Sequence, residues 1–271
     1  MKKLLILIVL LAFAFSLNAQ YANTRLWRIS GNKLSKPSYL FGSMHVDDER
    51  VFNFSDSLFY ALTSCDAFAN EVSVDSIVKF VYESIDNRLQ KKLENQYFGD
   101  DEEILDEISQ STGLDKMSLK KLSPIVLKQL IPAISGVKNR KPAMLDSYLY
   151  NIARHEGKIC IGIENLNTQI ALFNDFPEET KKEYAEYTIS KKRNTKNNQL
   201  IDIYRKADMN AVESLLKTMP ADLIKAMFTD RNQGMANSID SISQKISAFY
   251  TIGFGHLPGE LGLISLLRAK G

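Results

Sequence analysis

Two histidines of this chain follow apolar, strand-like segments through the same four-residue frame, Gly-x-x-His. The frames occupy residues 42–45 and 253–256, near opposite ends of a chain that has only three histidines. Glycine lets a backbone turn tightly or approach a bound group closely, and neutral imidazole is the commonest metal ligand in proteins. The repeated frame therefore predicts a fold that brings two distant strand ends together. For either histidine alone, the alternative is a strand cap that bonds to backbone.

The N-terminus has the features of a targeting segment. Lys2 and Lys3 precede an apolar run at residues 4–15, and small or polar residues 16–19 follow. This order is typical of a secretory signal peptide. We expect residues 1–19 to be removed and residues 20–271 to form one domain in the periplasm or outside the cell. The run is shorter than the about 20 apolar residues that span a bilayer, so no stable membrane span is expected after cleavage; an uncleaved anchor is the alternative.

The charge of the mature chain argues against a nucleic-acid partner. Removing residues 1–19 takes away two lysines and no acid, so Lys plus Arg falls from 34 to 32, against 32 Asp plus Glu. Nucleic-acid binding calls for a clustered basic surface. We expect a peptide or small-molecule substrate instead, and the sequence leaves the oligomeric state open. Export permits a disulfide between Cys65 and Cys160, with two free thiols as the alternative.

Hydrophobic periodicity predicts the architecture. Five segments have the composition and length of strands: residues 25–30, 38–44, 67–72, 158–164 and 248–253. Helical spacing fills most of residues 74–247, and only the strand at 158–164 interrupts it. The sequence therefore predicts an α/β (α+β) fold, with a central mixed β-sheet that has Gly-x-x-His strand ends and is covered by helices. The long, mostly helical stretch would form a cap insertion.

Four ionisable side chains end predicted strands or follow them closely: His45, Glu71, Glu164 and His256. Ligands of open α/β sheets bind outside the carboxyl ends of the strands, so these side chains are candidates for one site. Two histidines and a glutamate form a known catalytic zinc set whose fourth position holds water, and a second carboxylate beside it can act as a general base. The alternatives are solvent exposure for Glu71 and compensation of a helix dipole for Glu164.

Two further residues are candidates for supporting roles. Arg231 begins a predicted helix, and arginine suits a bidentate clamp on a carboxylate or an oxyanion; its alternative is a surface ion pair with Asp230 or Glu260. Asp146 could cap its own helix or orient a histidine. The sequence contains no Gly-x-Ser-x-Gly or His-Glu-x-x-His motif, and no phosphate-binding or dinucleotide-binding loop.

Taken in order, several segments resemble the TraB/GumN family. They are residues 26–29 (LWRI), 39–46 (YLFGSMHV), 68–72 (FANEV), 146–149 (DSYL), 162–165 (GIEN), 229–232 (TDRN) and 253–260 (GFGHLPGE). The resemblance extends over nearly the whole mature chain. One departure is Ser73, which stands where the family often has an acid two residues after the strand glutamate.

The resemblance implies an activity as well as a fold. That family is related to the Tiki proteases, which are described as metal-dependent peptidases with paired Gly-x-x-His motifs and an essential glutamate. It is similar in fold to erythromycin-esterase-like and haem-binding ChaN-like proteins. By resemblance, His45, Glu71 and His256 would bind a divalent manganese, cobalt or zinc ion. From the residue types themselves rather than the resemblance, Glu164 would be a base or fourth ligand, and Arg231 would stabilise an oxyanion.

The leading hypothesis is therefore an exported metal-dependent hydrolase, most simply a peptidase. Two alternatives stay open. One is a binding protein for haem, a peptide or a polysaccharide fragment on the same fold. The other is an accessory factor in surface polysaccharide export.

Overall fold

The structure, a computed structural model, describes residues 23–46, 48–77, 106, 109, 116–119, 145–180 and 194–271. The predicted signal peptide (residues 1–19) lies outside these ranges, as does much of the predicted cap. No helix within the described ranges has the length and apolar character that a membrane crossing requires.

The described strands form one five-stranded mixed sheet. They are β1 (Leu26–Ile29), β2 (Ser38–Ser43), β3 (Ala67–Val72), β4 (Ile159–Glu164) and β5 (Ala248–Gly253), arranged in the order β1-β2-β5-β3-β4. β1 pairs antiparallel with β2, whereas β2, β5, β3 and β4 are parallel to one another. The four parallel strands therefore end at the same edge of the sheet.

The centre of the sheet is β5, which the last part of the chain supplies. Its residues 248–252 are all buried, as expected for a continuous apolar strand covered on both faces. Phe249 of β5 stacks with Phe41 of β2 and with Phe68 of β3, at ring-centroid distances of 6.3 Å and 6.1 Å. This aromatic row fixes the two neighbours of β5, and so fixes which strand ends lie beside each other.

Helices cover the sheet. The α-helices include, in chain order, α1 (Asp56–Ser64), α2 (Lys116–Leu119), α3 (Leu145–His155), α4 (Leu166–Asn174), α5 (Asn194–Arg205), α6 (Met209–Leu216), α7 (Ala221–Ile224), α8 (Asp230–Ser243) and α9 (Leu263–Ala269). Short 3₁₀ turns occupy Glu49–Phe52 and Phe254–His256, and a π turn occupies Lys225–Thr229.

Two of these helices position the site. α3 buries Leu145, Leu149 and Ala153, which lie four residues apart on one face. α8 buries Met235, Ala236 and Ile239, and it contacts β4, β5 and α9. Truncating a buried leucine, isoleucine or methionine side chain to alanine costs about 2–5 kcal/mol, so this packing holds both helices against the sheet.

The predicted α/β class and central mixed sheet are confirmed, and the strand bounds agree to within about one residue. The last helix, α9, begins at Leu263. Gly262 is its N-cap, and Gly259 adopts a positive φ of 93°, a conformation that glycine adopts readily. Residues 257–262 therefore form the connection between His256 and α9.

Both cysteines are free thiols. The register of β3 and β4 places Cys160 opposite Phe68, three residues beyond Cys65. Three strand residues span about 10 Å, whereas a disulfide needs Cα atoms within about 7 Å. The structure therefore has no bond between them, and the register offsets Cys160 from Cys65 along the strand direction.

Candidate functional site

Each of the four parallel strands delivers one ionisable side chain to the shared edge. His45 follows β2, His256 lies in the turn after β5, Glu71 is in the last two residues of β3, and Glu164 ends β4. Because the sheet order is β2-β5-β3-β4, residues that are far apart in sequence come from adjacent strands. The convergence predicted from the paired frames is present.

Gly253 lies at the meeting point. A Cβ atom placed on it would be 3.2 Å from Glu71 Oε1, 3.6 Å from His256 Cδ2 and 3.8 Å from His45 Nε2. The backbone N–H of Gly253 donates to Glu71 Oε1 at 2.8 Å, and His45 Nε2 lies 3.9 Å from the same oxygen. Glycine at this position leaves the three side chains space to approach one another.

His45 is oriented by a carboxylate. Its Nδ1 lies 2.9 Å from Asp146 Oδ2, in the first turn of α3. The Asp146 charge raises the pKa of His45 to about 10, against the opposing effect of burial. With Nδ1 facing the carboxylate, Nε2 faces Glu71.

His256 is oriented by an amide. Its Nδ1 lies 2.6 Å from Asn232 Oδ1, and Asn232 Nδ2 donates to the Leu261 carbonyl at 2.8 Å. Since the amide nitrogen faces a carbonyl, Oδ1 must accept, and so His256 Nδ1 carries the hydrogen and Nε2 carries the lone pair. Burial lowers the pKa of His256 to about 4, helped by the nearby Arg231 charge.

Arg231 lies between the acids of the site. Its Nε and Nη2 donate to Glu164 at 3.0 Å and 2.5 Å, and Nη2 also donates to Glu71 Oε2 at 2.7 Å. The longer contacts of Nη1 reach the Met227 carbonyl at 3.3 Å and His256 Nε2 at 3.4 Å. Burial opposes the charge, but the two carboxylates hold the pKa of Arg231 above its ordinary value.

Both glutamates are bound into this network. Burial acts to raise the pKa of Glu71, yet Arg231 and the histidines outweigh it and hold that pKa well below its usual range. Glu164 accepts from Gln169 Nε2 at 2.8 Å as well as from Arg231. Both oxygens of Glu164 are therefore in use.

A π turn leads directly into α8 and supports the site. π turns are rare and often occur at functional positions. This one presents the Met227 carbonyl to Arg231 and places the Phe228 ring 5.0 Å from the His256 ring. A Cβ on Gly255 would lie 3.2 Å from Phe228 Cε1, so the small residue inside the second frame lets Phe228 pack closely there.

The structure brings together all five residues that the sequence singled out: His45, Glu71, Glu164, Arg231 and His256. Their chemical roles stay predictions. The surface alternative for Arg231 is wrong, because Asp230 pairs with Lys225 and Arg231 turns inward. At the start of α4, Asn165 Oδ1 accepts from the Asn167 N–H, and compensation of the α4 dipole by Glu164 stays an untested alternative.

Three contributors had no role assigned from sequence. They are Asn232, which orients His256, Gln169, which donates to Glu164, and the backbone N–H of Gly253, which donates to Glu71. The signal that could have identified Asn232 is its place next to a charged residue at a helix start. No comparable pattern marks Gln169.

Within the described parts of the chain, no three His, Cys, Asp or Glu side chains already stand at the spacing of a bound metal ion. A family model for the TraB/PrgY/gumN family matches residues 25–271, nearly the whole chain. No curated protein matches the chain, and no solved structure matches it.

Proposed function

The chain belongs to the TraB/PrgY/gumN family, and on that premise we propose that it is an exported metal-dependent hydrolase that acts on peptides. His45, Glu71 and His256 would hold one divalent ion, with manganese, cobalt and zinc as candidates. Arg231 and Glu164 would support the reaction beside it.

The observation that carries the proposal is the orientation of the two imidazoles. In each, Nδ1 lies beside an oxygen, 2.9 Å from Asp146 Oδ2 in one case and 2.6 Å from Asn232 Oδ1 in the other. Nε2 of His45 faces Glu71. Metal-binding histidines commonly have their second nitrogen bonded to a carboxylate or carbonyl oxygen in this way. The donor set therefore fits a divalent ion in its chemistry, although the 3.9 Å between His45 Nε2 and Glu71 Oε1 would have to shorten.

The charges of the site support the same proposal. Asp146, Glu71 and Glu164 are three largely buried carboxylates, and Arg231 is their one guanidinium partner. His45 must release its proton before its Nε2 can bind an ion, and the three negative charges and one positive charge then leave a net charge of two minus. Buried charges are stable only when they are compensated, and one divalent ion matches this excess.

Each residue then has a definite task. A bound divalent ion would supply an acidified water and polarise a carbonyl. Asp146 and Asn232 orient the imidazoles. Nη1 of Arg231 has only long contacts, so it is the nitrogen best able to donate to a carbonyl oxygen of a substrate. Because both oxygens of Glu164 already accept hydrogen bonds, its geometry favours holding Arg231 over acting as the base.

The test is the metal content of residues 20–271, produced without a histidine tag and measured by inductively coupled plasma mass spectrometry. We expect about one equivalent of a divalent ion per chain, lost in His45→Ala and His256→Ala. His155→Ala is the matched control, because it removes the third histidine, which is exposed at the end of α3. A peptide library would then be screened with that ion.

Two outcomes would count against the proposal. If the parent protein holds no ion and takes up no added manganese, cobalt or zinc, the hydrolase mechanism fails and a binding role for haem, a peptide or a polysaccharide fragment takes precedence. If the ion survives in both histidine variants, the site is elsewhere. For export, N-terminal sequencing of the protein from its native host should begin at Gln20.

A further inference from the structure

Arg231 makes contacts that a bound cation would also make. Its Nη2 is 2.7 Å from Glu71 Oε2, and its Nη1 is 3.4 Å from His256 Nε2. Two of the three proposed metal ligands therefore face the guanidinium. Its side chain is 13 % exposed, so it acts on Glu71 as a desolvated, close positive charge.

We propose that Arg231 is an internal counter-ion that competes with the divalent ion for Glu71. The Glu71 carboxylate pairs with the guanidinium when no ion is bound, and it releases Nη2 when an ion binds. This inference rests on the proposed function, because it concerns the same three ligands. It adds a regulatory property: the protein's own arginine sets the metal affinity.

The pairing of Arg231 with Glu164 makes such an exchange feasible. Glu164 binds Arg231 through two nitrogens, at 3.0 Å and 2.5 Å, and Gln169 holds Glu164 from the other side at 2.8 Å. When Nη2 leaves Glu71, the guanidinium keeps a bidentate carboxylate partner. An unpaired buried charge would be strongly destabilising, and this arrangement avoids one on either side of the exchange.

A double variant separates competition for Glu71 from a change in the net charge of the site. Removing Arg231 alone would add negative charge to the whole site, and any cation would then bind more tightly. Removing the charges of Arg231 and Glu164 together leaves the net charge of the site unchanged. Glu71 loses its competing partner in that double variant, so a change in metal affinity reports on Glu71 itself.

The experiment is a calorimetric titration of residues 20–271 with MnCl₂ and, separately, with ZnCl₂. The variants are Arg231→Met/Glu164→Gln, Glu164→Gln alone and the parent protein. We expect the double variant to bind about 5- to 150-fold more tightly than the parent, the range typical of coupling between two sites. Glu164→Gln alone should bind more weakly, because Arg231 then keeps only Glu71 as a charged partner.

Equal affinity of parent and double variant, or weaker binding by the double variant, would overturn the competition while leaving the metal site in place. No binding by any of the proteins would overturn both this inference and the proposed function. A crystal structure of the parent with Mn²⁺ provides the direct check. The Arg231 Nη2 to Glu71 Oε2 distance should open beyond hydrogen-bonding range while the Glu164 contacts persist, and an unbroken pair beside a bound ion would contradict the exchange.

Discussion

The two Gly-x-x-His frames end adjacent parallel strands, yet they give their histidines opposite properties. His45 is 37 % exposed and faces the carboxylate of Asp146. His256 is 6 % exposed and faces the amide of Asn232. The pKa of the first is raised to about 10, chiefly by the Asp146 charge, and that of the second is lowered to about 4, chiefly by burial.

The difference lies in the helices, not in the frames. α3 places a charged residue beside β2, whereas α8 places a neutral amide beside β5 together with the charge of Arg231. A short motif thus fixes where an imidazole stands, and the partner from a distant helix fixes its protonation. Near neutral pH, therefore, the imidazole of His45 is positively charged and that of His256 is neutral.

The largest effect is expected from Asp146→Asn. The pKa of His45 should fall from about 10 to about its ordinary 6.5 or below, because burial then acts against a weaker opposing field. NMR titration of ¹⁵N-histidine-labelled protein measures this directly, since the chain has only three histidines. His256 should stay near 4. If His45 still titrates above pH 9 in this variant, Asp146 is not the cause of its raised pKa. The control is Asp240→Asn, which removes a carboxylate from the last turns of α8.

The loss of stability at acid pH tests the lowered pKa of His256. The folded pKa of His256 is about 4 and the unfolded value is near 6.5, so unfolded chains take up a proton first as the pH falls. The contribution of neutral His256 to the free energy of unfolding is therefore complete above pH 6.5. It is lost as the pH falls from 6.5 to 4, by up to about 3 kcal/mol. Urea unfolding at pH 7 and 4.5 should show a smaller loss in His256→Gln than in the parent and in His155→Gln. Equal losses in all three proteins would contradict this origin.

His45 acts in the opposite direction. Its folded pKa lies above the unfolded value, so its contribution is complete below pH 6.5 and is lost as the pH rises towards 10. The two frames together therefore favour maximal stability near neutral pH.

Asn232→Asp would give His256 the type of partner that His45 has. A carboxylate at hydrogen-bonding distance raises a histidine pKa by about 1–3 units, and the same NMR titration should detect that rise. Asn210→Asp adds an equal charge on the exposed face of α6 and should leave His256 unchanged. An unshifted His256 in Asn232→Asp would mean that burial alone controls it.

The sheet was predictable because its strands are apolar runs that end at turns, and strand ends of a parallel sheet must share an edge. Even the pairing of His45 with His256 followed from a repeated frame. The network around Arg231 did not follow, because its partners come from β3, β4 and α4, and a carboxylate that binds an arginine has no distinctive local sequence. Glu164 looked like a base in sequence, and only the contacts of both its oxygens favour a positioning role.

The glycines that open the two frames provide the smallest test. A Cβ on Gly42 would lie 2.5 Å from Phe254 Cδ2 and 3.0 Å from Leu257 Cδ2, whereas one on Gly253 would meet Glu71 Oε1 at 3.2 Å. Gly42→Ala should therefore lower the free energy of unfolding by about 1–3 kcal/mol, as overpacking does. Gly253→Ala should cost less stability but weaken metal uptake, because it displaces Glu71.

Gly234→Ala is the matched control for both glycine variants. It lies in α8 with nothing within 4 Å of its Cβ position, and replacing an open helical glycine by alanine stabilises by about 0.4–1 kcal/mol. Urea unfolding and calorimetric Mn²⁺ titration of the three variants would separate the frames. If Gly42→Ala weakened metal uptake and Gly253→Ala did not, the first glycine would shape the site and the second would serve packing, the reverse of what these contacts predict.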